Sequence, residues 1–346
     1  MRAWTVAPGE GGSGAVSEVA EPDEADGSVL VETLGIGVCG TDREILHGDY
    51  GEAPPGVGFL ILGHECVGRV VSAPGESGLA PGDHIVPVVR RPDPVPCANC
   101  AVGEWDMCRN GLYTERGIRG RHGYAAERFR VEPAFCVKIA PRLASLGMLL
   151  EPASVVAKAW EHVERIGARA RFCPERVLVT GAGPIGLLAA LLGVQRELEV
   201  HVLDRVARGP KVDRARELGA SYHEALDPAC MDADIVIECT GAGQLVIDVM
   251  RTSSPNGVVC LTGISSGHRE IGVDAGALSR SLVLENAVVF GSVNANLRHY
   301  AAAARALEAA DPRWLEGLVT RRVKLDDWPS AVERDADDIK AVIDFT

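Results

Sequence analysis

The sequence predicts an α/β protein with two domains, one rich in β-strands and one built on a doubly wound parallel sheet. Two observations support this fold class. Short valine- and isoleucine-rich runs separated by proline–glycine turns dominate residues 1–155, whereas strands and helices alternate over residues 156–297. A chain of 346 residues is also long for one compact domain, so two domains are the natural expectation.

The first domain is predicted from strand-like runs bounded by turn residues, of which the clearest are 29–34, 68–71 and 84–89. Their spacing favours a small β-barrel or sandwich over a helix bundle. Residues 298–346 contain an alanine-rich helix over 299–310 and a strand over 339–345. Because the first domain lacks a closing strand, we expect this tail to fold back onto it.

The second domain is predicted from a regular alternation of strands and helices. Strands are expected at 177–180, 199–203, 234–239, 258–262 and 287–293. An apolar segment with a 3.6-residue period over 187–194 and a shorter helical segment at 214–218 lie between them. This order is typical of a doubly wound parallel sheet.

The junction between the first of these strands and its helix has the spacing of a dinucleotide-binding turn, Gly181-Ala-Gly183-Pro184-Ile185-Gly186. Gly181 would allow the tight turn, Gly183 would let backbone approach a pyrophosphate, and Gly186 would let helix pack closely on strand. The pyrophosphate would lie over the amide groups of the helix N-terminus, so the whole segment is assigned to cofactor binding. An ordinary strand-to-helix turn is the alternative.

Asp204 ends the second strand of this domain. A carboxylate there suits the 2′-hydroxyl of a ribose and would repel a 2′-phosphate, so NAD is preferred and NADP remains possible. The guanidinium groups of Arg205 and Arg208 suit a phosphate, although such arginines are more often solvated surface charge. Two positions after the next strands either contact the cofactor or only form turns: Thr240 and Gly263.

Possible metal ligands lie in three strings of the first domain: Gly37-Val-Cys39-Gly-Thr41-Asp42, Leu62-Gly-His64-Glu65-Cys-Val-Gly68 and Leu150-Glu151-Pro152. A catalytic zinc takes about three protein ligands and keeps one position open. Cys39, His64 and Glu151 would supply a thiolate, an imidazole and a carboxylate, whose two negative charges cancel those of the ion. Zinc lowers the pKa of a bound hydroxyl, after which the substrate carbon can release hydride to a nicotinamide.

Each of these residues also has a purely structural interpretation. Cys39 fits a small buried thiol, since cysteine is among the most buried residue types. His64 and Glu65 fit a hydrogen-bonded pair that braces a turn, and Glu151 fits the end of an element. The combination of all four beside a nucleotide site favours the metal.

The three strings resemble those of the zinc-dependent medium-chain alcohol dehydrogenases, and the resemblance covers essentially the whole chain. Further phrases are most similar to the glucose dehydrogenase branch: Val89-Arg-Arg-Pro, Tyr113-Thr-Glu-Arg-Gly-Ile and Gly291-Ser-Val-Asn. The resemblance implies a GroES-like β-barrel catalytic domain, formed by 1–155 and 298–346, and a Rossmann dinucleotide-binding domain over 156–297. It implies an active site in the cleft between them and, by analogy, a homodimer or homotetramer.

The same resemblance implies roles near the metal and the substrate. Thr41 matches a hydroxyl that relays the proton outward, and Glu65 matches a carboxylate that is an alternate ligand or lies behind the ligands. Glu115 matches a carboxylate that binds sugar hydroxyls, and Asn294 matches a polar group near the nicotinamide. Val89 departs from the family, because some relatives carry a polar sugar-binding residue there. For Glu115 the alternative is a surface pair with one of two neighbours, Arg116 or Arg119.

Cys97, Cys100 and Cys108 resemble the structural-zinc lobe of the superfamily, which has four cysteines as C-x2-C-x2-C-x7-C. The first of the four positions falls on Pro94, beside Asp93. A closed tetrahedral zinc site needs a fourth ligand. Either Asp93 supplies an oxygen to a second, structural zinc, or the lobe holds no metal and persists by packing.

Composition argues against several classes of partner. A net charge of −13 disfavours nucleic acid or a phospholipid surface as the main partner. No segment approaches about 18 uninterrupted apolar residues, and the N-terminus has no signal-peptide core, so we expect a cytoplasmic protein with no membrane partner. Ten cysteines in such a chain are expected to be thiols or metal ligands rather than disulfides.

The sequence therefore predicts a zinc-dependent, NAD(P)-linked dehydrogenase that oxidises a sugar or a related cyclic polyol by hydride transfer. A dehydrogenase of acyclic secondary alcohols or polyols with the same fold is the second hypothesis. A third, of a different class, is a nucleotide-binding redox sensor that kept the fold without the chemistry. The intact set of Cys39, Thr41, His64 and Glu151 argues against this third hypothesis.

Overall fold

The structure is a computed structural model that describes residues 1–230, 232–264, 270–333 and 335–346. Its strands are β1 (Arg2–Val6), β2 (Ala15–Glu18), β3 (Val29–Val38), β4 (Leu60–Ile61), β5 (Glu65–Ser72), β6 (His84–Pro87), β7 (Arg90–Arg91), β8 (Thr114–Arg116), β9 (Gly120–Arg121), β10 (Arg128–Val131), β11 (Cys136–Lys138), β12 (Arg176–Thr180), β13 (Glu199–Leu203), β14 (Ser221–His223), β15 (Ala233–Glu238), β16 (Ser253–Leu261), β17 (Val288–Gly291), β18 (Val319–Lys324) and β19 (Lys340–Asp344). Its α-helices are α1 (Gly40–His47), α2 (Leu150–Gly167), α3 (Pro184–Val194), α4 (Pro210–Glu217), α5 (Gly243–Val249), α6 (Ala275–Leu284), α7 (Leu297–Ala309), α8 (Pro312–Glu316) and α9 (Trp328–Val332).

The predicted doubly wound sheet is confirmed. Six parallel strands lie in the order β14-β13-β12-β15-β16-β17, and helices α3 to α6 lie on the connections between them. Strand order reverses between β12 and β15. The crevice in which open α/β sheets bind their ligands therefore lies outside the carboxyl ends of those two strands.

Helix α3 is apolar on every side because it is buried on every side. All residues from 186 to 193 are buried, and the helix lies among β12, β13 and helix α2. The indole of Trp160 on α2 donates a hydrogen bond to the carbonyl of Ala189, 3.3 Å away. This packing fixes the N-terminus of α3 at the edge of the crevice.

The first domain is organised around the long strand β3. It pairs with β5 on one side and with β10 and β19 in succession on the other, all antiparallel. Within the described residues the pairings end at β11 and β18 and do not join into a ring. The predicted β-rich domain is thus present, but its main sheet is open rather than a closed barrel.

The tail folds back as expected. The predicted helix over 299–310 is α7, and the predicted strand over 339–345 is β19, which lies between β3 and β18. Hence a strand from the C-terminal end fills a position inside the first sheet. Strand β19 also brings Lys340 to the end of β3, where its Nζ donates a hydrogen bond to the carbonyl of Val38.

Across the parts of the chain that are described, no helix combines the length and the apolar character needed to cross a bilayer.

Candidate active site

Cys39 lies where strand β3 ends and helix α1 begins. Its sulfur accepts a hydrogen bond from the backbone N–H of Thr41 at 3.2 Å, and its own N–H donates to Oδ2 of Asp42 at 2.9 Å. These reciprocal bonds form a capping box in which a sulfur takes the place of the usual serine or threonine hydroxyl. The positive end of the helix dipole therefore faces the sulfur.

His64 lies opposite Cys39, immediately before strand β5. Its Nε2 atom is 3.1 Å from the sulfur of Cys39, and its Nδ1 atom is 3.5 Å from Oδ1 of Asp42. Burial lowers the pKa of His64, but the sulfur and the carboxylate outweigh burial and raise this pKa well above its ordinary value. The pocket between sulfur and imidazole thus attracts positive charge.

Glu65 completes a cluster with these two residues. One ligand atom each of Cys39, His64 and Glu65 lies within 4.8 Å of the others. The carboxylate of Glu65 also accepts two hydrogen bonds from Nζ of Lys340, at 2.6 and 2.8 Å, and both side chains are buried. Gly37 makes room for it, because a Cβ atom there would lie 2.2 Å from Oε2 of Glu65.

Glu151 begins helix α2 on another wall of the same region. Burial raises the pKa of Glu151 to about 7, the charge of His64 opposes that rise, and the charge of Glu65 adds to it. Its carboxylate is nevertheless not a member of the cluster in which donor atoms lie within 4.8 Å of one another. The structure thus brings three of the four expected residues together and places the fourth within electrostatic reach.

Glu115 is buried and does not form the surface pair that was its alternative interpretation. Its Oε1 atom accepts hydrogen bonds from Arg90, at 3.0 and 3.1 Å, and from the amide of Asn294, at 2.8 Å. The ring of Tyr113 covers the guanidinium group of Arg90 at 3.7 Å. Since these described bonds all end on Oε1, Oε2 is the oxygen that can face a hydroxylated substrate.

The three glycines have the geometry that their spacing predicts. Gly181 has a φ of +89°, in the left-handed region that favours glycine. A Cβ atom on Gly183 would meet nothing within 4 Å, whereas one on Gly186 would lie 1.7 Å from the carbonyl oxygen of Gly181. Gly183 caps α3, and Pro184 and Ile185 form its first turn. The space over Gly183 is therefore open to a phosphate.

Asp204 holds the glycine turn through its carboxylate. Its Oδ2 atom accepts the N–H of Ala182 at 2.7 Å, and its Oδ1 atom accepts the N–H of Val206 at 3.2 Å. Arg205 and Arg208 are exposed. The two predicted positions that follow β15 and β16 lie close to glycines, Thr240 to Gly181 and Gly263 to Gly241.

Three cysteines of the lobe come together as expected: Cys97, Cys100 and Cys108 have sulfur atoms within 4.8 Å of one another. Backbone N–H groups, chiefly those of Arg109 and Cys100, lower the pKa of Cys97 to about 6. Amide groups that point at sulfur stabilise a thiolate, which is the form that binds zinc. Cys97 is therefore easily deprotonated, whereas burial is the main cause that raises the pKa of Cys100 to about 11.

Asp93 is buried beside this lobe but outside the 4.8 Å cluster. Its Oδ1 atom accepts the N–H of Val95 at 2.8 Å, whereas its Oδ2 atom is buried with no hydrogen-bond partner. A buried oxygen without a partner is costly unless a proton or a cation satisfies it. Its backbone N–H points at the sulfur of Cys100, so the main chain of Asp93 lies next to the thiols.

Sequence reasoning missed the charged residues that surround the predicted ones. Arg90 pairs with Glu115, Lys340 pairs with Glu65, and Lys158 pairs with Asp106 at 2.9 Å. One usable signal was present: the chain has only five lysines, and Lys340 directly precedes the apolar run Ala341-Val-Ile. Lysines are almost never fully buried unless they are paired with an acidic group. A lysine beside an apolar run of a predicted core strand, such as Lys340, therefore predicts a buried acidic partner.

Comparison with known proteins identifies two family models along the chain. Residues 25–141 match the alcohol dehydrogenase GroES-like domain, and residues 144–345 match the glucose dehydrogenase C-terminus. Glucose 1-dehydrogenase of Thermoproteus tenax is 40% identical, over 99% of either chain, and that of Methanocella arvoryzae is 36% identical, over 100% of this chain and 99% of the relative. A solved structure of Haloferax mediterranei glucose dehydrogenase with NADP, Zn and gluconolactone has a TM-score of 0.90 and 35% identity, over 100% of this chain and 99% of the other.

Proposed function

The chain belongs to the zinc-dependent medium-chain alcohol dehydrogenase superfamily, in the glucose dehydrogenase branch, and on that basis we propose that it oxidises a sugar or a related cyclic polyol with NAD(P). The observation that carries the proposal is the cluster of Cys39, His64 and Glu65. The same molecule contains a complete dinucleotide-binding turn. The carboxylates of Glu151 and Glu115 are close enough to one another to interact electrostatically. No ordinary structural role requires this combination of groups.

We assign the catalytic zinc to Cys39, His64 and Glu151, with Glu65 as a near-metal carboxylate. The donor set has the sulfur, nitrogen and oxygen chemistry of a catalytic zinc site, and its expected net charge leaves room for one further anion. A bound zinc would supply a Lewis acid that lowers the pKa of the substrate hydroxyl. Asp42 would orient His64 through Nδ1, since their atoms are already 3.5 Å apart.

The ion pair with Lys340 decides the role of Glu65. A carboxylate that accepts two short hydrogen bonds from a buried ammonium has most of its negative charge neutralised, and it binds a metal less strongly. Glu65 is therefore the better candidate for tuning the site and Glu151 for ligation. Thr41, whose backbone contacts the sulfur of Cys39, is the proposed proton relay.

For the substrate we propose that Glu115 and Asn294 bind sugar hydroxyls. Arg90 holds Oε1 of Glu115 and leaves Oε2 to accept hydroxyl hydrogen bonds at charge-assisted strength. The relative from Haloferax mediterranei holds gluconolactone, a cyclic sugar derivative, which supports a sugar as the substrate class. Val89 is buried and its apolar side chain offers no hydrogen bond, which supports a cyclic polyol, or a sugar other than glucose, as the substrate.

For the cofactor we propose NAD as the preferred form, with NADP also accepted. Asp204 presents negative charge at the end of β13, where it favours a ribose 2′-hydroxyl over a 2′-phosphate. The relative with NADP, and the exposed Arg205 and Arg208, favour NADP acceptance. Thr240, Gly263 and Asn294 complete the proposed cofactor contacts.

We also propose a second, structural zinc in the lobe. Cys97, Cys100 and Cys108 supply three thiolates, and the Oδ2 atom of Asp93 is a fourth donor that otherwise lacks a partner. Ligation requires the Asp93 carboxylate to move toward the thiols. This movement satisfies the buried oxygen and closes the tetrahedron at the same time.

The remaining expectations concern the organisation of the protein. We propose a catalytic domain of residues 1–155 and 298–346, a dinucleotide-binding domain of residues 156–297, and a cytoplasmic homodimer or homotetramer. Strand β17 lies at the edge of the parallel sheet, where a second copy can extend it. Size-exclusion chromatography with light scattering tests the oligomer.

The deciding experiment is a substrate panel combined with metal analysis. Aldoses, cyclitols and acyclic secondary alcohols are assayed with NAD and with NADP, and zinc is counted per chain. We expect turnover on a sugar or a cyclitol, which the Cys39→Ala and His64→Ala variants lose. Turnover by either variant would exclude the zinc mechanism, preference for acyclic alcohols would support the second hypothesis, and nucleotide binding without turnover would support a redox sensor.

A further inference from the structure

A third group of metal-ligating side chains lies at the outer edge of the parallel sheet, separate from the Cys39 cluster and from the cysteine lobe. His201 on β13 and His223 on the edge strand β14 are stacked, with Nδ1 of His201 2.8 Å from Nε2 of His223. A carboxylate stands at each end of this pair. Nε2 of His201 is 3.0 Å from Glu199, and Nδ1 of His223 is 3.1 Å from Oδ2 of Asp227.

Glu199, His201, His223 and Asp227 form a row of side chains. The hydrogen-bond contacts in this row outnumber the N–H hydrogens that are available to make them. The row contains three contacts between a nitrogen and its neighbour, and each needs one hydrogen between the two atoms. Two neutral imidazoles bring only two N–H groups, and ionised carboxylates bring none. One contact must therefore receive an additional positive charge, either as a proton or as a metal ion.

The end of the row at Asp227 has the donors that a metal ion needs. Cys230 is buried beside it, and ligand atoms of His223, Asp227 and Cys230 lie within 4.8 Å of one another. The backbone N–H of Cys230 donates to Oδ1 of Asp227 at 3.3 Å, which leaves Oδ2 directed at His223. Two donors that are each about 2.0 Å from a tetrahedral zinc are about 3.3 Å apart, close to the separation of His223 and Asp227.

We propose that His223, Asp227 and Cys230 bind a divalent transition-metal ion of the zinc type. Nδ1 of His223, an oxygen of Asp227 and the thiolate of Cys230 are the three ligands. Water takes the fourth position, since the side chain of Asp227 is 48% exposed. Binding releases the thiol proton of Cys230 to solvent.

The metal also resolves the shortage of hydrogens. With Nδ1 of His223 on the ion, its Nε2–H donates to Nδ1 of His201, and the Nε2–H of His201 donates to Glu199. Every contact then has one donor and one acceptor. A ligating histidine that passes its second N–H toward a carboxylate is the usual arrangement around protein-bound metals.

The position of this site links it to the proposed cofactor site. The carbonyl of His223 accepts a hydrogen bond from the backbone N–H of Asp204 at 3.1 Å. Asp204 is the residue proposed to hold the ribose. An ion that fixes His223 therefore stabilises the loop that contains Asp204. We expect NAD to bind more tightly when the metal is present. This effect on NAD binding rests on the proposed function, whereas metal binding itself does not.

The test counts zinc in the full-length protein after saturation with Zn²⁺ and gel filtration. Cys230→Ser and His223→Gln are expected to hold one equivalent fewer than wild type. Cys173→Ser is the matched control, because Cys173 is exposed and lies outside this cluster. His201→Gln keeps all three ligands but breaks the row, and it should weaken the metal affinity about 10- to 100-fold.

The outcomes separate this site from the others. Cys39→Ser should lose a different equivalent, so a Cys39→Ser/Cys230→Ser double variant should lose two. Thermal unfolding in a chelator checks that Cys230→Ser folds: a single cooperative transition is expected, at a somewhat lower temperature than in wild type because the new hydroxyl is buried in an apolar cluster. Equal zinc content in wild type, Cys230→Ser and His223→Gln would overturn the proposal, whatever the result for Cys39→Ser. The additional positive charge in the row would then be a proton.

Discussion

Nζ of Lys158 lies 2.9 Å from Oδ2 of Asp106, and both side chains are almost completely buried. This pair joins the cysteine lobe to helix α2. Asn296, at the N-terminus of α7, donates a second hydrogen bond to Oδ1 of Asp106 at 2.6 Å. The lobe is therefore attached by one acidic residue to the two helices that flank the proposed substrate site.

Replacing Lys158 by methionine should destabilise the protein strongly. The substitution leaves the buried charge of Asp106 without its main counter-ion, a change that typically costs about 3–5 kcal/mol. Chemical denaturation followed by tryptophan fluorescence measures the loss. Lys138→Met is the matched control, because Lys138 forms an exposed pair with Asp83 and should cost no more than about 1 kcal/mol. Equal losses in the two variants would contradict this account.

His299 should make stability depend on pH below neutrality. Burial is the main cause that lowers the pKa of His299 to about 4, from an ordinary value of 6.5. Between those two values the unfolded chain binds a proton that the folded chain does not, so stability falls as pH drops from 6.5 toward 4, by at most about 3 kcal/mol. Unfolding midpoints at pH 7 and pH 4.5 should differ less in His299→Gln than in wild type. The exposed His47→Gln should keep the full difference.

Glu115→Gln should impair sugar oxidation without affecting cofactor binding. Glutamine keeps an acceptor for Arg90 but loses the negative charge offered to substrate hydroxyls. We expect kcat/KM for the sugar to fall roughly 10- to 100-fold, about 1.4–2.7 kcal/mol, with an unchanged Kd for NAD. Glu52→Gln, which removes the charge of an exposed pair with Arg119, should behave as wild type. A change in NAD affinity alone would assign Glu115 to the cofactor instead.

Asp204→Asn should shift the cofactor preference toward NADP. Asparagine can still accept the N–H of Ala182, so the glycine turn is kept while the charge that repels a 2′-phosphate is lost. The ratio of kcat/KM with NADP to that with NAD should rise on the order of 10-fold or more. Asp213→Asn on the exposed face of α4 is the control. An unchanged ratio would mean that Asp204 serves only the turn.

Asp93→Ala should remove the structural zinc of the lobe. The loss of the fourth donor leaves three thiols, which do not close a tetrahedral site. Metal analysis should find one zinc fewer in Asp93→Ala than in wild type, and the same loss in Cys100→Ser. The thiols of Cys97 and Cys108 should also oxidise faster in Asp93→Ala than in wild type. If Asp93→Ala keeps its zinc while Cys100→Ser loses it, water rather than Asp93 is the fourth ligand.

Local features were predictable because they depend on neighbouring residues. The tight turn at Gly181 and the close helix–strand packing at Gly186 follow from the spacing of the glycines alone, and both appear in the backbone geometry. Cys39 and His64 were predictable as a pair through a family likeness, although 25 positions separate them.

Long-range pairings could not be derived in this way. Glu65 and Lys340 are 275 positions apart, and Asn294 and Glu115 are 179 apart. No periodicity or local motif links such residues, since their contact depends on how the sheets stack. The open first sheet was missed for the same reason, because strand propensity does not tell which edges pair.

The placement of β19 has a consequence for how the chain is made. The parallel sheet is complete once residue 291 has left the ribosome, whereas β3 still lacks its neighbour β19, which is synthesised later. Lys340, whose ammonium neutralises Glu65, arrives with the same strand, so the proposed zinc site is completed only after β19 has left the exit tunnel. A nascent chain stalled before residue 340 should bind nucleotide and yet have no turnover.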